Sequence, residues 1–473
     1  MYLRYSLLRS ARAVQRCHPH SRLAHTSTTT KHTPPTTPCK QYLEPTHTAA
    51  LTSLSQESKS VIDASAKYML PVYARPGFVL SHGKGSYVWD MEGRKYLDFS
   101  AGIAVNALGH SDEGVAKILG EQASKLLHTS NVYHHPGATK LAELIVELTR
   151  KEGGLGLDAT AGAKIFFSNS GTEANEGALK IARKVGKDRG GPSKSRILCF
   201  ENAFHGRSMG ALSVTSNPKY QQPFMPLLPG VDVARINEMA ALELITNETC
   251  AVIVEPIQGE GGINYAQEEW LKAIRKRCDE TGAVLIFDEI QCGLFRTGKL
   301  WAHSALDSEC HPDIVTMAKP LANGYPIGAV LMRDAIAETM TAGTHGTTFG
   351  GSPLACAVGY HVLSRLSAPE FAQQLQESSD YLQARLARLT EWFPSLLEEQ
   401  IRGRGMILGL GFKDTSIPAK VVNLARERGL FVLTAGSDAV RIVPSLNIGK
   451  EEIDQAVDVL ESVLEIVTAE SVA

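Results

Sequence analysis

The chain has 473 residues, 43% of them hydrophobic and 21% charged, and a formal net charge of −2. Such a composition supplies ample apolar material for a core and sets an expectation of two to four domains. It offers no basic field for nucleic acid, and no apolar run nears the roughly 20 residues needed to cross a bilayer, so neither partner is expected.

The first stretch differs from the rest. Arg4, Arg9, Arg12, Arg16, Arg22, Lys31 and Lys40 precede any acid before Glu44, and Ser and Thr crowd positions 26–37. Leu3, Leu7, Ala11 and Val14 recur at helical spacing. This is the pattern of a mitochondrial transit peptide, which predicts a leader over residues 1–45 outside the fold and a matrix location. A secretory signal would have a longer unbroken apolar centre. Next, "GSYVWDMEGRKYLDFSAGIAV" reads as two short strands around the turn at Glu92-Gly93, and the preceding "GKG" reads as turn punctuation.

From about residue 110 to 365, strand and helix patterns alternate. "KIFFS" (164–168), "RILCF" (196–200), "AVIVEP" (251–256), "VLIFDE" (284–289), "IVTM" (314–317) and "GAVLM" (328–332) suit strands buried on both faces of a mostly parallel sheet. "EEWLKAIRKRCDETG" keeps Trp270, Leu271, Ile274 and Cys278 on one helical face and stops at Gly282. The fold class predicted is α/β. The segment 366–473 mixes helices with short strands around "GMILGLGF" and "VRIVPSLNI", a smaller α+β domain. The eight cysteines of the whole chain include no C-x-x-C pair and read as free thiols. No H-E-x-x-H and no zinc-spaced His/Cys cluster occurs, so no metal is expected.

Three features fall where α/β sheets bind ligands, at the carboxyl ends of strands. In "FFSNSGTEANEGALKIARKV" a strand ends at Ser168 and a helix begins near Gly171 and Thr172. Gly171 would admit a ligand to the backbone and Thr172 could cap the helix, making either a phosphate seat or a plain N-cap. In "VLIFDEIQCG", Asp288 and Glu289 close an apolar strand. They are either a salt bridge beneath a loop or a carboxylate kept ionised by a cationic ligand group. In "TMAKPLANGYP", Lys319 follows a strand and precedes Pro320, which disfavours helix at the lysine. It is either a solvated charge or a desolvated amine able to attack a carbonyl. Together the three match pyridoxal phosphate: an anion seat, a partner for the pyridine nitrogen and an amine for the aldehyde. The loop "GLGLDA" at 154–159 has no strand before it, which argues against a dinucleotide enzyme.

From about residue 70 onward the chain resembles the ornithine/acetylornithine group of class III, fold-type I aminotransferases. The resemblance rests on "DFSAGIAVNALGH", "HTSNVY", "FFSNSGTEANEGALKIAR", "NAFHGRSMG", "VEPIQGEGG", "FDEIQCGLFRTGK", "THGTTFGGSPLACAV" and "VRIVPSLNI". It implies a large cofactor-binding domain over 110–365 and a small domain built from both chain ends, 61–109 with 366–473. It also implies a homodimer with sites at the interface.

Residue by residue, the resemblance implies that Lys319 joins the cofactor aldehyde and later shuttles a proton. Asp288 pairs with the ring nitrogen and Gln291 with the ring hydroxyl. Gly171 and Thr172 hold the phosphate, and Phe204 stacks on the ring. Thr348 reaches the phosphate of the partner subunit, with Thr347 touching substrate there. Arg207 binds the α-carboxylate of N-acetylornithine and Arg441 that of 2-oxoglutarate or glutamate, with Glu260 covering Arg441 when the long diamine is bound. An Arg fork suits a carboxylate because its planar donors make two parallel bonds. Each arginine could instead be a structural ion pair. The chain departs from the family pattern at Pro320, Cys292 and Phe295, where small residues, Ser and Gly are common.

The activity implied is ping-pong transfer of the δ-amino group of N-acetylornithine to 2-oxoglutarate, giving N-acetylglutamate 5-semialdehyde and glutamate, as in arginine biosynthesis. Transamination of ornithine or of 4-aminobutyrate, or a non-catalytic binding protein that keeps the fold, are the rivals.

Overall fold

The computed structural model describes residues 38–47, 54–158 and 160–472. Most of the leader expected over 1–45 therefore lies outside the described residues. Its last part does not stand apart from the fold. Cys39 donates its backbone N–H to Glu461 at 2.7 Å, and Arg428 donates to the carbonyls of Tyr42 and Leu43 at 2.6 and 2.5 Å. Leader composition carries no trace of these contacts, because their partners lie more than 380 residues away.

The central sheet has seven strands among the described residues. From edge to edge they are Ala163–Ser168, Gly328–Arg333, Ile314–Met317, Val284–Asp288, Thr249–Val254, Arg196–Phe200 and Val231–Ala234. Gly328–Arg333 runs antiparallel to both neighbours, and the other pairings are parallel. All six strands read from the sequence are present. The edge strand Val231–Ala234 was not anticipated, because four half-buried residues carry too short an apolar signal.

Alternation along these strands serves the sheet's two faces. Ile197, Cys199, Ala251, Ile253 and Ile286 pack under the helix Gly171–Gly190, through Ala174, Ala178, Ile181 and Val185. Leu198, Phe200, Val252, Val254, Leu285 and Phe287 pack against Trp270, Ile274 and Cys278 of the helix Glu268–Thr281. That second helix ends at Gly282, which takes φ 70° as a left-handed stop.

Two four-stranded sheets flank this layer. In one, Leu80–Lys84, Tyr87–Asp90 and Lys95–Asp98 are joined by Leu430–Phe431, with Leu97 opposite Leu430, so early and late chain segments share a sheet. The strand Leu80–Lys84 extends the hairpin beyond the expected pair, and "GKG" does lie at its turn, with Gly85 at φ 57°. The other sheet holds Arg402–Arg404, Ile407–Gly411, Ala439–Ile442 and Leu433–Ala435. Among the described residues, no helix is long and apolar enough to cross a membrane.

Candidate active site

Parallel pairing brings the carboxyl ends of successive strands to one rim, and the segments leaving that rim enclose a cavity of about 400 Å³. Gly171, Thr172, Phe204, Arg207, Asp288, Gln291 and Lys319 all line it. These residues, from four separate segments of the chain, thus meet in one volume.

The helix mouth is built differently from the sequence reading. Ser170, not Thr172, is the N-cap: its hydroxyl accepts the N–H of Glu173 at 3.3 Å. Thr172 lies inside the first turn, and its hydroxyl meets that of Ser208 at 2.6 Å. The cap falls to Ser170 because only the residue with extended backbone before the helix can aim its side chain at the first-turn N–H groups. Gly171 is required by packing as well as by approach, since a Cβ there would come within 2.9 Å of the Ile290 side chain. The leading N–H groups of the helix have no acceptor within it and face the cavity wall, an anion seat.

Asp288 is 4% exposed. One oxygen, Oδ2, accepts from Asn175 Nδ2 at 2.7 Å and from His205 Nδ1 at 2.8 Å, while Oδ1 accepts the N–H of Ile290 at 3.0 Å. Thr316 donates to Asn175 Oδ1 at 2.8 Å and so fixes which way that amide faces. A carboxylate this deep would be costly without such donors. His205 must donate from Nδ1, because an ionised carboxylate only accepts. Its Nε2 is buried without a hydrogen-bond partner.

Lys319 opens a 3-10 turn, Lys319–Ala322, rather than projecting from an unstructured junction. Pro320 is compatible with that turn because an N–H at its second position would have no partner inside it. Burial lowers the Lys319 amine to about 8, and Arg441 pushes the same way while Asp288, Glu255 and Glu260 oppose. The amine is thus far closer to neutral than a surface lysine.

Arg441 is 2% exposed and donates to the carbonyl of Gly259 at 2.7 Å, to Gln291 Oε1 at 3.0 Å and to Glu260 Oε2 at 3.0 Å. The structure thus forms the Glu260–Arg441 pair directly, and it gives Gln291 a partner in Arg441. Burial lowers the Arg441 guanidinium from its ordinary value, and Glu260 opposes that shift. Arg207 lies across the cavity with its guanidinium 3.7 Å from the centroid of the Tyr220 ring. Thr347 accepts from Asn169 Nδ2 at 3.2 Å, and exposed Thr348 does not line the cavity.

Glu289, next to Asp288, points elsewhere. It accepts the N–H groups of Ala302 and His303 at 2.6 and 3.1 Å and meets His303 Nδ1 at 2.5 Å. Of the two carboxylates singled out together, one is structural.

Glu255, Asn175 and His205 are site residues that the sequence reading passed over. Glu255 closes the strand Thr249–Val254 as Asp288 closes its own, so the same signal could have found it. Its carboxylate accepts the N–H groups of Phe204 at 2.9 Å and Gly259 at 3.0 Å, and burial raises it to about 7. Asn175 is a polar residue beside the apolar face of a helix, which carries no sequence signal of function.

The departure at Phe295 has a backbone consequence. Leu294 and Phe295 both take positive φ, 54° and 70°, in the turn closed by Leu294 N–H to the carbonyl of Leu300. A bulky residue there costs about 1–2 kcal/mol that glycine would not. The ring is recovered into the core at 4% exposure.

The family model for aminotransferase class-III matches residues 70–464. The chain belongs to the class III aminotransferases. This aminotransferase is 50% identical over 409 residues to the mitochondrial acetylornithine aminotransferase of Yarrowia lipolytica, covering 86% of this chain and 97% of that one. It is 44% identical to the mitochondrial acetylornithine aminotransferase of Saccharomyces cerevisiae, over 91% of this chain and 100% of that one. Among solved structures it superposes on N-acetylornithine aminotransferase from Stenotrophomonas maltophilia K279a with TM-score 0.71 and 36% identity, covering 86% and 100% of the two chains. On the ornithine aminotransferase of Toxoplasma gondii ME49 the TM-score is 0.80 with 31% identity, covering 89% and 97%. The aminotransferase therefore has the fold-type I α/β architecture and uses pyridoxal phosphate. Its cavity suits that group: helix N–H donors for a phosphate, a donor-rich buried carboxylate for a ring nitrogen, an amine of lowered basicity for an aldehyde, and Phe204 and Ile290 as apolar walls.

Proposed function

We propose that this aminotransferase moves the δ-amino group of N-acetyl-L-ornithine to 2-oxoglutarate, forming N-acetyl-L-glutamate 5-semialdehyde and L-glutamate, in the mitochondrial matrix. The observation that carries the reading is the meeting of Lys319, Asp288 and the helix mouth at Gly171 in one cavity. Pyridoxal phosphate, when bound, supplies an electron-withdrawing ring that stabilises charge on the carbon losing its proton.

The chain's own residues do the rest. Lys319, its basicity lowered by burial, accepts a proton from the substrate carbon and returns it. Asp288, held by Asn175 and His205, keeps a positive charge favourable at the ring nitrogen. Gly171 and Thr172 offer N–H donors to the phosphate, Gln291 serves the ring hydroxyl, and Phe204 covers the ring. Arg207 clamps the α-carboxylate of the acetylated diamine, and Arg441 that of the 2-oxo acid. Glu260 neutralises Arg441 in the present structure and must release it for the second half of the reaction. Thr348 and Thr347 lie outside their own cavity's lining, consistent with service to a second copy in a homodimer. Residues 61–109 and 366–473 form the small domain of this reading, and 110–365 the large one.

A substrate panel on purified, pyridoxal-phosphate-loaded protein tests the assignment. N-acetylornithine should be turned over in preference to ornithine and to 4-aminobutyrate, which lacks the carboxylate that Arg207 clamps. The higher TM-score with the ornithine enzyme favours ornithine as the second reading. A preference for free ornithine would establish it. Lys319→Ala should lower turnover by about 10⁴-fold and abolish the visible absorption of the loaded protein.

A further inference from the structure

We propose that Tyr220 is a positioning residue that holds Arg207 for substrates bearing an α-carboxylate. The inference rests on the reading above and adds a residue that the family comparison does not supply.

The two arginines at this site are held in different ways. Arg441 is bound by a carboxylate, Glu260, at 3.0 Å. Arg207 makes no hydrogen bond or ion pair with the described residues, although it has five donors and lines the cavity. Its guanidinium instead lies 3.7 Å from the centroid of Tyr220 and 5.6 Å from that of Phe204. The two rings meet edge to face, at 82° and 6.1 Å between centroids. A ring face attracts a cation through its quadrupole without presenting a formal negative charge. A guanidinium held that way is fixed in place while its donors and charge stay free for an incoming carboxylate, whereas one held by an acid must first lose its partner.

Tyr220 is itself firmly seated. It lies in the short helical turn Pro218–Gln221, where Asn217 accepts the N–H of Lys219 at 3.0 Å. Gln221 ties that turn to the helix Met209–Ser213 through the carbonyls of Leu212 at 3.0 Å and Ser213 at 3.3 Å. Glu176 accepts the N–H groups of Gly210 and Ala211 at 2.7 and 3.1 Å, which fastens the segment after Arg207 to the cofactor-side helix. A second cavity of about 370 Å³ shares Phe204 with the first and is lined by both Tyr220 and Glu260. The residues that hold the two arginines, Tyr220 for Arg207 and Glu260 for Arg441, thus line one and the same cavity.

Loaded enzyme carrying Tyr220→Leu or Tyr220→Phe is compared with the parent. The donors are N-acetylornithine and N-acetyl-1,4-diaminobutane, which differ only in the α-carboxylate. Binding of N-acetylglutamate, a carboxylate with no free amine, is measured by calorimetry. Tyr220→Leu should raise the KM for N-acetylornithine and the Kd for N-acetylglutamate by roughly 3- to 30-fold. It should change kcat and the KM for the decarboxylated donor by less than about twofold, and Tyr220→Phe, which keeps the ring face, should stay near the parent. Tyr220→Gln, a second variant without a ring, carries the same test if the leucine variant does not fold. Equal KM increases for both donors, unchanged constants, or a phenylalanine variant as impaired as leucine would overturn the assignment. Parent enzyme that ignores N-acetylornithine would defeat the proposed function instead, and the calorimetric comparison would still decide the role of Tyr220.

Discussion

Asp288 and Glu289 are neighbours at the end of one strand, both acidic and both nearly inaccessible, at 4% and 0% exposure. Successive residues of a strand face opposite ways, and here that places them in unlike surroundings. Asp288 faces a cavity with an amine and an anion seat in it. Glu289 faces a closed wall, where two backbone N–H groups and His303 use its oxygens. Both carry a histidine, His205 at 2.8 Å for one and His303 at 2.5 Å for the other. Carboxylate, burial and histidine partner are therefore common to both. Function is marked by what remains in front of the group once its protein partners are counted.

The comparison predicts opposite phenotypes. Asp288→Asn should lower turnover by about 10²–10³-fold, a larger effect than its cost to the stability of the cofactor-free protein, read by steady-state kinetics beside thermal denaturation. Glu289→Gln should reverse the pattern. Losing the charge that joins the Ala302 and His303 N–H groups to the strand should cost about 3 kcal/mol of stability, with kcat of the surviving folded enzyme little changed. Chemical denaturation with activity normalised to active sites would show it, and equal activity losses in the two variants would break the distinction.

A smaller effect should follow from the layer behind Asp288. Asn175→Ala removes one donor to Oδ2 and the acceptor of Thr316, so kcat should fall by roughly 5- to 30-fold, the loss of a hydrogen bond to a charged group. Asn175→Asp should be worse, because it sets a second acid against the first.

The smallest effect is a shift in pH dependence. Neutral amine is the form that captures the aldehyde, so the rate of cofactor uptake by cofactor-free protein should rise with pH and level off above about 8. An ordinary lysine would continue to gain up to about 10.4. Because the Asp288 charge raises the Lys319 pKa, Asp288→Asn should move that midpoint to lower pH. Glu289→Gln should leave it in place. Stopped-flow uptake across a pH series would separate the two.

Much of this site is legible in the sequence. Apolar runs ending in Ser168, Asp288 and Met317 placed three chemical groups at strand ends, and parallel topology then required those ends to share a rim. The same logic applied to Glu255 would have found it. Thr172 was misjudged as the cap because capping depends on which residue keeps extended backbone, and Ser170 and Thr172 have equally suitable side chains. The contacts of residues 38–47 with the rest of the fold are invisible in the sequence, since they depend on Glu461 and Arg428, far along the chain.

The order of residues alone determined the α/β class, the family membership and the strand ends at which Gly171, Asp288 and Lys319 stand, because periodicity and short motifs are local properties of the chain. Tertiary structure decided which of two adjacent acids faces the cavity, which of Ser170 and Thr172 caps the helix, and how each arginine is restrained. Those outcomes depend on groups brought together from distant positions, and the energy of a buried charge is set by its three-dimensional neighbours rather than by its place in the sequence.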